Sequence, residues 1–120
     1  MRVVIAGSRS IDSYYQVHLA IKESGFEIDT IISGTAAGVD LQGEAYGKEH
    51  DIPVERYPAD WKTHGKKAGF IRNAEMNNVS DATIVVWDGS SNGSKMMAEI
   101  TERSNKPVYV KRVLTPKEAL

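Results

Sequence analysis

Asp40 and Glu44 stand four residues apart, directly behind the glycine-rich stretch SGTAAGVD (residues 33–40). If a helix begins there, both carboxylates project from one face. That placement suits two tasks, accepting hydrogen bonds from ribose hydroxyls or serving as a general base. A structural alternative exists, because acids in a first helical turn complement the helix dipole by about 0.3–1 kcal/mol each. Asp40, which closes the glycine turn, is the stronger functional candidate of the two. The third candidate is Arg72, which ends a run (Lys62, Lys66, Lys67, Arg72) with no acid between Trp61 and Ala74. At helical spacing Arg72 shares a face with Met76 and Val79, so its guanidinium needs an anionic partner or a route to water. A structural carboxylate or a ligand phosphate gripped bidentately would meet that need. Asp40, Glu44 and Arg72 are therefore the candidate catalytic groups.

Candidate binding residues come from three stretches that each follow an apolar run: AGSRS (6–10), SGTAAGVD (33–40) and WDGSSNGS (87–94). A helix N-terminus offers unpaired N–H groups and partial positive charge, and glycine removes the Cβ that would hold an anion away. Three such turns on one edge of a sheet predict a cradle for a phosphate or pyrophosphate. The plainer reading is that glycine is there only to make tight turns. The candidates are Gly7, Ser8 and Arg9; Ser33, Gly34, Gly38 and Asp40; Arg72 and Asn73; and Gly89, Ser90, Asn92, Gly93 and Ser94. Ser8, Ser33 and Ser94 read as phosphate donors or caps, with no Ser–His–Asp logic among the serines. Trp61 and Tyr57 are suited to stacking on a base, or to core or lid packing. His18, His50 and His64 lack metal-ligand spacing and read as surface residues, so neither a metal nor a cofactor is expected.

The chain that must position these groups has 120 residues, the length of one domain, expected to span residues 1–120. Its 15 basic and 16 acidic residues leave a net charge of −1, against a protein that lives on nonspecific attraction to a phosphate backbone. With no cysteine there is no disulfide framework, thiolate nucleophile or cysteine-ligated metal. The opening MRVVIAGS is too short an apolar run for a membrane span or a signal peptide. A cytoplasmic address is expected, in a cell or an infected host, with no membrane partner.

Apolar runs and amphipathic segments alternate throughout. RVVIAG, IDTIISG, IPVERYP, ATIVVWDG and KPVYVKRV read as strands. The first helix has Asp12 or Ser13 as N-cap, buries Tyr14, Val17 and Ile21, and stops at Gly25. A second runs from Val39 to about His50, with Val39, Gly43 and Tyr46 on one face. A third begins near residues 65–68 and ends near Ser80. A fourth covers residues 94–104 with Met97 and Ile100 inward. TPKEAL reads as a capped final turn or a frayed helix. Such alternation implies a Rossmann-like α/β fold, a three-layer α/β/α sandwich around a mostly parallel five-stranded sheet. Ligands of such sheets bind beyond the carboxyl ends of the strands.

The order of GSR, SGTAAGVD with Glu44, PADW, GKKAGFIRNAEM, SDATIVVWDG and GSSNGS resembles the YspA/YpsA-related branch of the SLOG superfamily, over nearly the whole chain. That superfamily includes the Lonely-guy phosphoribohydrolases and the fold of DNA-processing protein A. The resemblance implies a Rossmann-like fold, binding of a nucleotide, a nucleotide-derived ligand or nucleic acid, and a homo-oligomer in which a neighbouring subunit completes the site. SGTAAGVD is similar to the turn that DNA-processing protein A uses on single-stranded DNA. FIRNAEM is similar to the arginine-bearing helix of Lonely-guy enzymes, which places Arg72 at their catalytic arginine. SSNGSKMMAE departs from their motif, since Met97 stands where they carry the catalytic glutamate. Glu99, two residues on, is expected to face about 200° away around the helix.

Three functions follow as expectations. The first is binding of a nucleotide or nucleotide-derived phosphate ligand, such as an ADP-ribose-like signal, by a sensor or sequestering protein. The second is hydrolysis of the N-glycosidic bond of a nucleoside monophosphate. The third is binding of single-stranded nucleic acid through the basic run that ends at Arg72.

Overall fold

Strands β1 (Arg2–Gly7), β2 (Thr30–Ser33), β3 (Val54–Arg56), β4 (Ala82–Trp87) and β5 (Val108–Arg112) form one sheet in the order β3-β2-β1-β4-β5. Every pairing is parallel, which sharpens the expectation of a mostly parallel sheet to an entirely parallel one among the described residues. The computed structural model describes residues 1–114; the TPKEAL segment and its expected turn lie outside the described residues.

Consecutive strand residues point to opposite faces, and here both faces are buried. Val3 and Ile5 of β1 join Ala82, Ile84 and Val86 of β4 in one apolar cluster, whereas Val4 and Ala6 join another. Helices α1 (Tyr14–Ser24) and α2 (Val39–Glu49) close the first cluster with Val17, Ala20, Ile21, Val39 and Tyr46. On the opposite face, α4 (Ala68–Val79) and α5 (Asn92–Arg103) contribute Met76 and Met97. Between β3 and α4 lie a short helix α3 (Trp61–His64) and a 3₁₀ turn (Gly65–Lys67). The expected three layers are present. Gly43 lets α2 lie close on β1, since a Cβ there would fall 2.8 Å from Ile5 Cγ2.

Local chemistry moves several boundaries. Ser13, not Asp12, caps α1, its Oγ accepting from Gln16 N at 3.3 Å. Helix α5 starts two residues before the expected Ser94, because the Ser91 side chain takes the cap position and accepts from Ser94 N. The short α3, unforeseen in the sequence, is capped by Asp60, which accepts from Thr63 N at 3.1 Å. No helix among the described residues is long and apolar enough to cross a membrane.

The chain runs outward from β1 to β3 with α1 and α2 on one face. It then returns over the other face through α4 and re-enters at β4, beside β1. The β1/β4 junction is therefore the topological switch point, where the turns after β1 and β4 leave the sheet in opposite directions.

Candidate functional site

All five carboxyl ends share one edge, and a cavity of about 490 Å³ opens there. The turn after β1 supplies Gly7, Arg9 and Ser10, and the turn after β2 supplies Ala36 and Asp40. Helix α4 contributes Arg72, Asn73 and Met76; the turn after β4 and the start of α5 contribute Asp88, Ser91, Gly93, Ser94 and Met97. Trp61 and Phe70 stand at this cavity with more than half of their surface exposed. A smaller recess of about 230 Å³ shares Arg9, Ala36, Trp61 and Arg72 with it and adds Gly34, Thr35, Ala37, Pro58 and Ala59.

Arg72 crosses from α4 to the second turn. Its Nη1 donates to the Gly34 carbonyl and its Nε donates to Asn73 Oδ1 at 2.8 Å. Asn73, buried, donates in turn from Nδ2 to the Gly93 carbonyl at 3.4 Å, tying α4 to α5. Gly34 is required by this crossing: a Cβ at that position would lie 2.8 Å from both Arg72 Nη1 and Asp40 Oδ2. Gly38 is required by the next step of the turn. It has φ 79°, and a Cβ there would meet the carbonyl oxygens of Arg9 at 2.5 Å and Ser8 at 2.6 Å.

Asp40 is only 5% exposed and accepts from Ala36 N at 3.1 Å. Burial pushes its carboxyl up to about 6, against the pull of the Ala36 N–H, Arg72 and the Gly7 N–H. The Arg72 guanidinium is held below its ordinary value, by burial first and also by the like charge of Arg9, while Asp40 opposes both. Neither arginine has an ion-pair partner among the described residues, and of the two outlets expected for Arg72, an anionic partner or a route to water, a bonded carboxylate is not the one found.

The third turn is organised differently. Asp88 Oδ1 accepts from Ser90 N at 2.9 Å and from Ser91 N at 3.0 Å, and Oδ2 accepts from Ser10 Oγ at 3.0 Å. These donors, the Ser90 N–H foremost, hold the carboxyl well below the usual carboxylate range, against the opposing effect of burial. The N–H groups that the sequence offered to a phosphate are thus taken by the turn's own carboxylate. Ser90 also donates its hydroxyl to Asp88 and lines neither cavity; Gly89, with φ 91°, packs against Arg112, and Asn92 lines neither cavity.

The remaining expected site residues divide in the same way. Gly7, Arg9, Gly34, Asp40, Arg72, Asn73, Gly93 and Ser94 come together at the cavities, whereas Ser8, Ser33, Gly38 and Glu44 line neither. Ser8 stitches β1 to β4 by accepting from Asp88 N at 3.0 Å. Ser33 donates to Glu44 Oε2 at 2.6 Å, and Arg56 Nε lies 3.2 Å from Glu44 Oε1. Glu44 is thus bonded to Ser33 and Arg56 and lines neither cavity, whereas Asp40 lines the larger one. Met97 is buried at the cavity wall, and Glu99 faces outward between Lys95 and Arg103, as the helical spacing predicts. Tyr57 packs against the α4/α5 cluster and donates to Glu55, so of the two expected stacking aromatics Trp61 is the one at the site. His18 and His50 belong to an aromatic group with Tyr14 and Tyr46, and His64 is exposed. Asp88 was not among the expected binding residues, although an acid followed by Gly-Ser-Ser is the mark of a side chain that folds back on its own turn.

Comparison with known proteins agrees with this architecture. Residues 1–64 match the model of the YspA, cpYpsA-related SLOG family. The chain is also similar to the Gene 61 protein of Mycobacterium phage D29, 30% identical over 117 residues that cover 89% of this chain and 93% of that protein. No solved structure matches it significantly. With its parallel sheet, its switch-point cavity and these matches, the chain belongs to the YspA, cpYpsA-related SLOG family.

Proposed function

We propose that the protein binds a nucleotide or nucleotide-derived phosphate ligand at the carboxyl edge of the sheet, as a sensor or sequestering protein. One observation carries the reading: Arg9 and Arg72 meet at the switch-point cavity, repel each other, and have no carboxylate bonded to either. Two converging guanidiniums with no bonded carboxylate, and with the buried Asp40 as the nearby negative charge, are suited to a phosphate. Asp40 and Asp88 line the larger cavity as well, so a bare polyanion suits it poorly; a ligand that joins a phosphate to hydroxyl donors suits it better. Trp61 and Phe70 add flat apolar surface for a base. Family membership is compatible with a nucleotide-related role. Calorimetric titration of nucleoside mono- and diphosphates and ADP-ribose tests the proposal. Saturable binding tighter than millimolar by at least one is expected, and none across the panel contradicts it.

A second reading rests on Asp40 alone. A buried cavity carboxyl near 6 is matched to proton transfer at neutral pH. In N-glycosidic hydrolysis it would take a proton from water as that oxygen bonds to the anomeric carbon, while the C–N bond breaks and the base leaves with its electron pair. Base release from nucleoside monophosphates, lost in Asp40→Asn and kept in Glu44→Gln, is the expected outcome of this reading. No release by the unaltered protein excludes it.

A further inference from the structure

The two cavities differ in charge. The larger holds both carboxylates of the site, Asp40 and Asp88, whereas none lines the smaller recess. Both arginines reach both spaces. Arg72 uses Nη1 and Nε within the protein, and its Nη2 has no acceptor among the described residues. The Arg9 guanidinium has none at all among them, and neither has the Ala37 N–H at the mouth of the recess. Across the site, the turn after β4 has given its Ser90 and Ser91 N–H groups to an ionised Asp88. An anion placed there meets the ionised Asp88; an anion in the recess meets Arg9 and Arg72, with the buried Asp40 carboxyl behind the Ala36 N–H.

We infer that the smaller recess, between Arg9, Arg72 and the turn after β2, is the seat of the ligand's terminal phosphate. The sugar and base then occupy the larger cavity, with Asp40 toward the hydroxyls and Trp61 at the boundary. This assignment rests on the preceding reading and fixes its polarity: the phosphate is held on the β2 side of the switch point, away from the start of α5.

Two single-charge substitutions separate the sites. Ala37 is exposed beside the recess, and Gly93 is exposed at the start of α5 with nothing within 4 Å of a Cβ. Inorganic phosphate and adenosine 5′-monophosphate are titrated calorimetrically into the unaltered protein, Ala37→Glu and Gly93→Glu, with adenosine as the uncharged control. Ala37→Glu is expected to weaken both phosphate ligands by about tenfold or more, and Gly93→Glu to weaken inorganic phosphate by less than about threefold. Adenosine is expected to bind alike in the unaltered protein and Ala37→Glu. Ala59→Glu, in the segment after β3, repeats the test should Ala37→Glu not fold. For inorganic phosphate, equal losses in both variants, or the larger loss in Gly93→Glu, overturn the assignment while leaving nucleotide binding intact. Absence of binding by the unaltered protein to every member of the wider nucleotide panel overturns the functional reading itself, and the assignment with it.

Discussion

The turns after β2 and after β4 look alike in sequence, each built from glycine, small residues and one aspartate, yet they shift that aspartate's titration in opposite directions. Asp88 collects two backbone N–H groups and a serine hydroxyl at a half-buried position and stays ionised. Asp40 receives one close backbone N–H at an almost fully buried position, and its carboxyl is pushed up to about 6. The number of donors set against the depth of burial decides the outcome. Glycine-rich composition alone therefore does not make a phosphate cradle. Both turns direct N–H groups at their own carboxylate, and the positive charge at the cavities is that of Arg9 and Arg72.

The difference between the turns can be broken most severely at Gly38. Alanine there adds strain at φ 79° to overlap with two backbone carbonyls, and about 4 kcal/mol of stability should be lost in chemical denaturation. Next comes the pH dependence. Asp40 titrates near 3.8 unfolded and about 6 folded, so the folded state holds the extra proton. Stability should fall as pH rises between those values, by about 3 kcal/mol in all, and Asp40→Asn should flatten that slope. Asp88 has the opposite sign. Its folded value is depressed, so its contribution is present at neutral pH and lost as pH falls below the carboxylate range. Asp88→Ala should cost about 2 kcal/mol at pH 7, through lost hydrogen bonds to a charged acceptor. Smallest of all, Gly93→Ala should stabilise the protein by about 0.5–1 kcal/mol, because its Cβ enters open space within a helix. Denaturant titrations of the four variants at several pH values separate these effects.

Much of this architecture was legible in the sequence because it follows from periodicity and caps. Runs such as ATIVVW and RVVIAG, buried on both faces, announce central parallel strands, and their alternation with amphipathic segments announces the three layers. Arg72 was legible too, since a guanidinium on an apolar helical face must reach something polar. What the sequence did not disclose was how donors and acceptors pair inside each turn. Asp40 and Glu44 look equivalent at four-residue spacing. Only the position of Ser33 and of Arg56 on neighbouring β3 turns Glu44 into a structural acid. Asp88 likewise had a local signature, but its capture of two N–H groups depends on the half-buried geometry at the end of β4.

The central claim is that guanidinium groups, rather than the backbone donors of the glycine turns, bind the ligand's anion. Arg9 is exposed and has no bonded partner among the described residues, so its removal should leave the fold unchanged. Calorimetric titration of adenosine 5′-monophosphate into the unaltered protein and into Arg9→Gln, with thermal denaturation as control, tests the claim directly. An affinity about tenfold weaker in Arg9→Gln at an unchanged Tm is predicted. Equal affinities in the two proteins would contradict it.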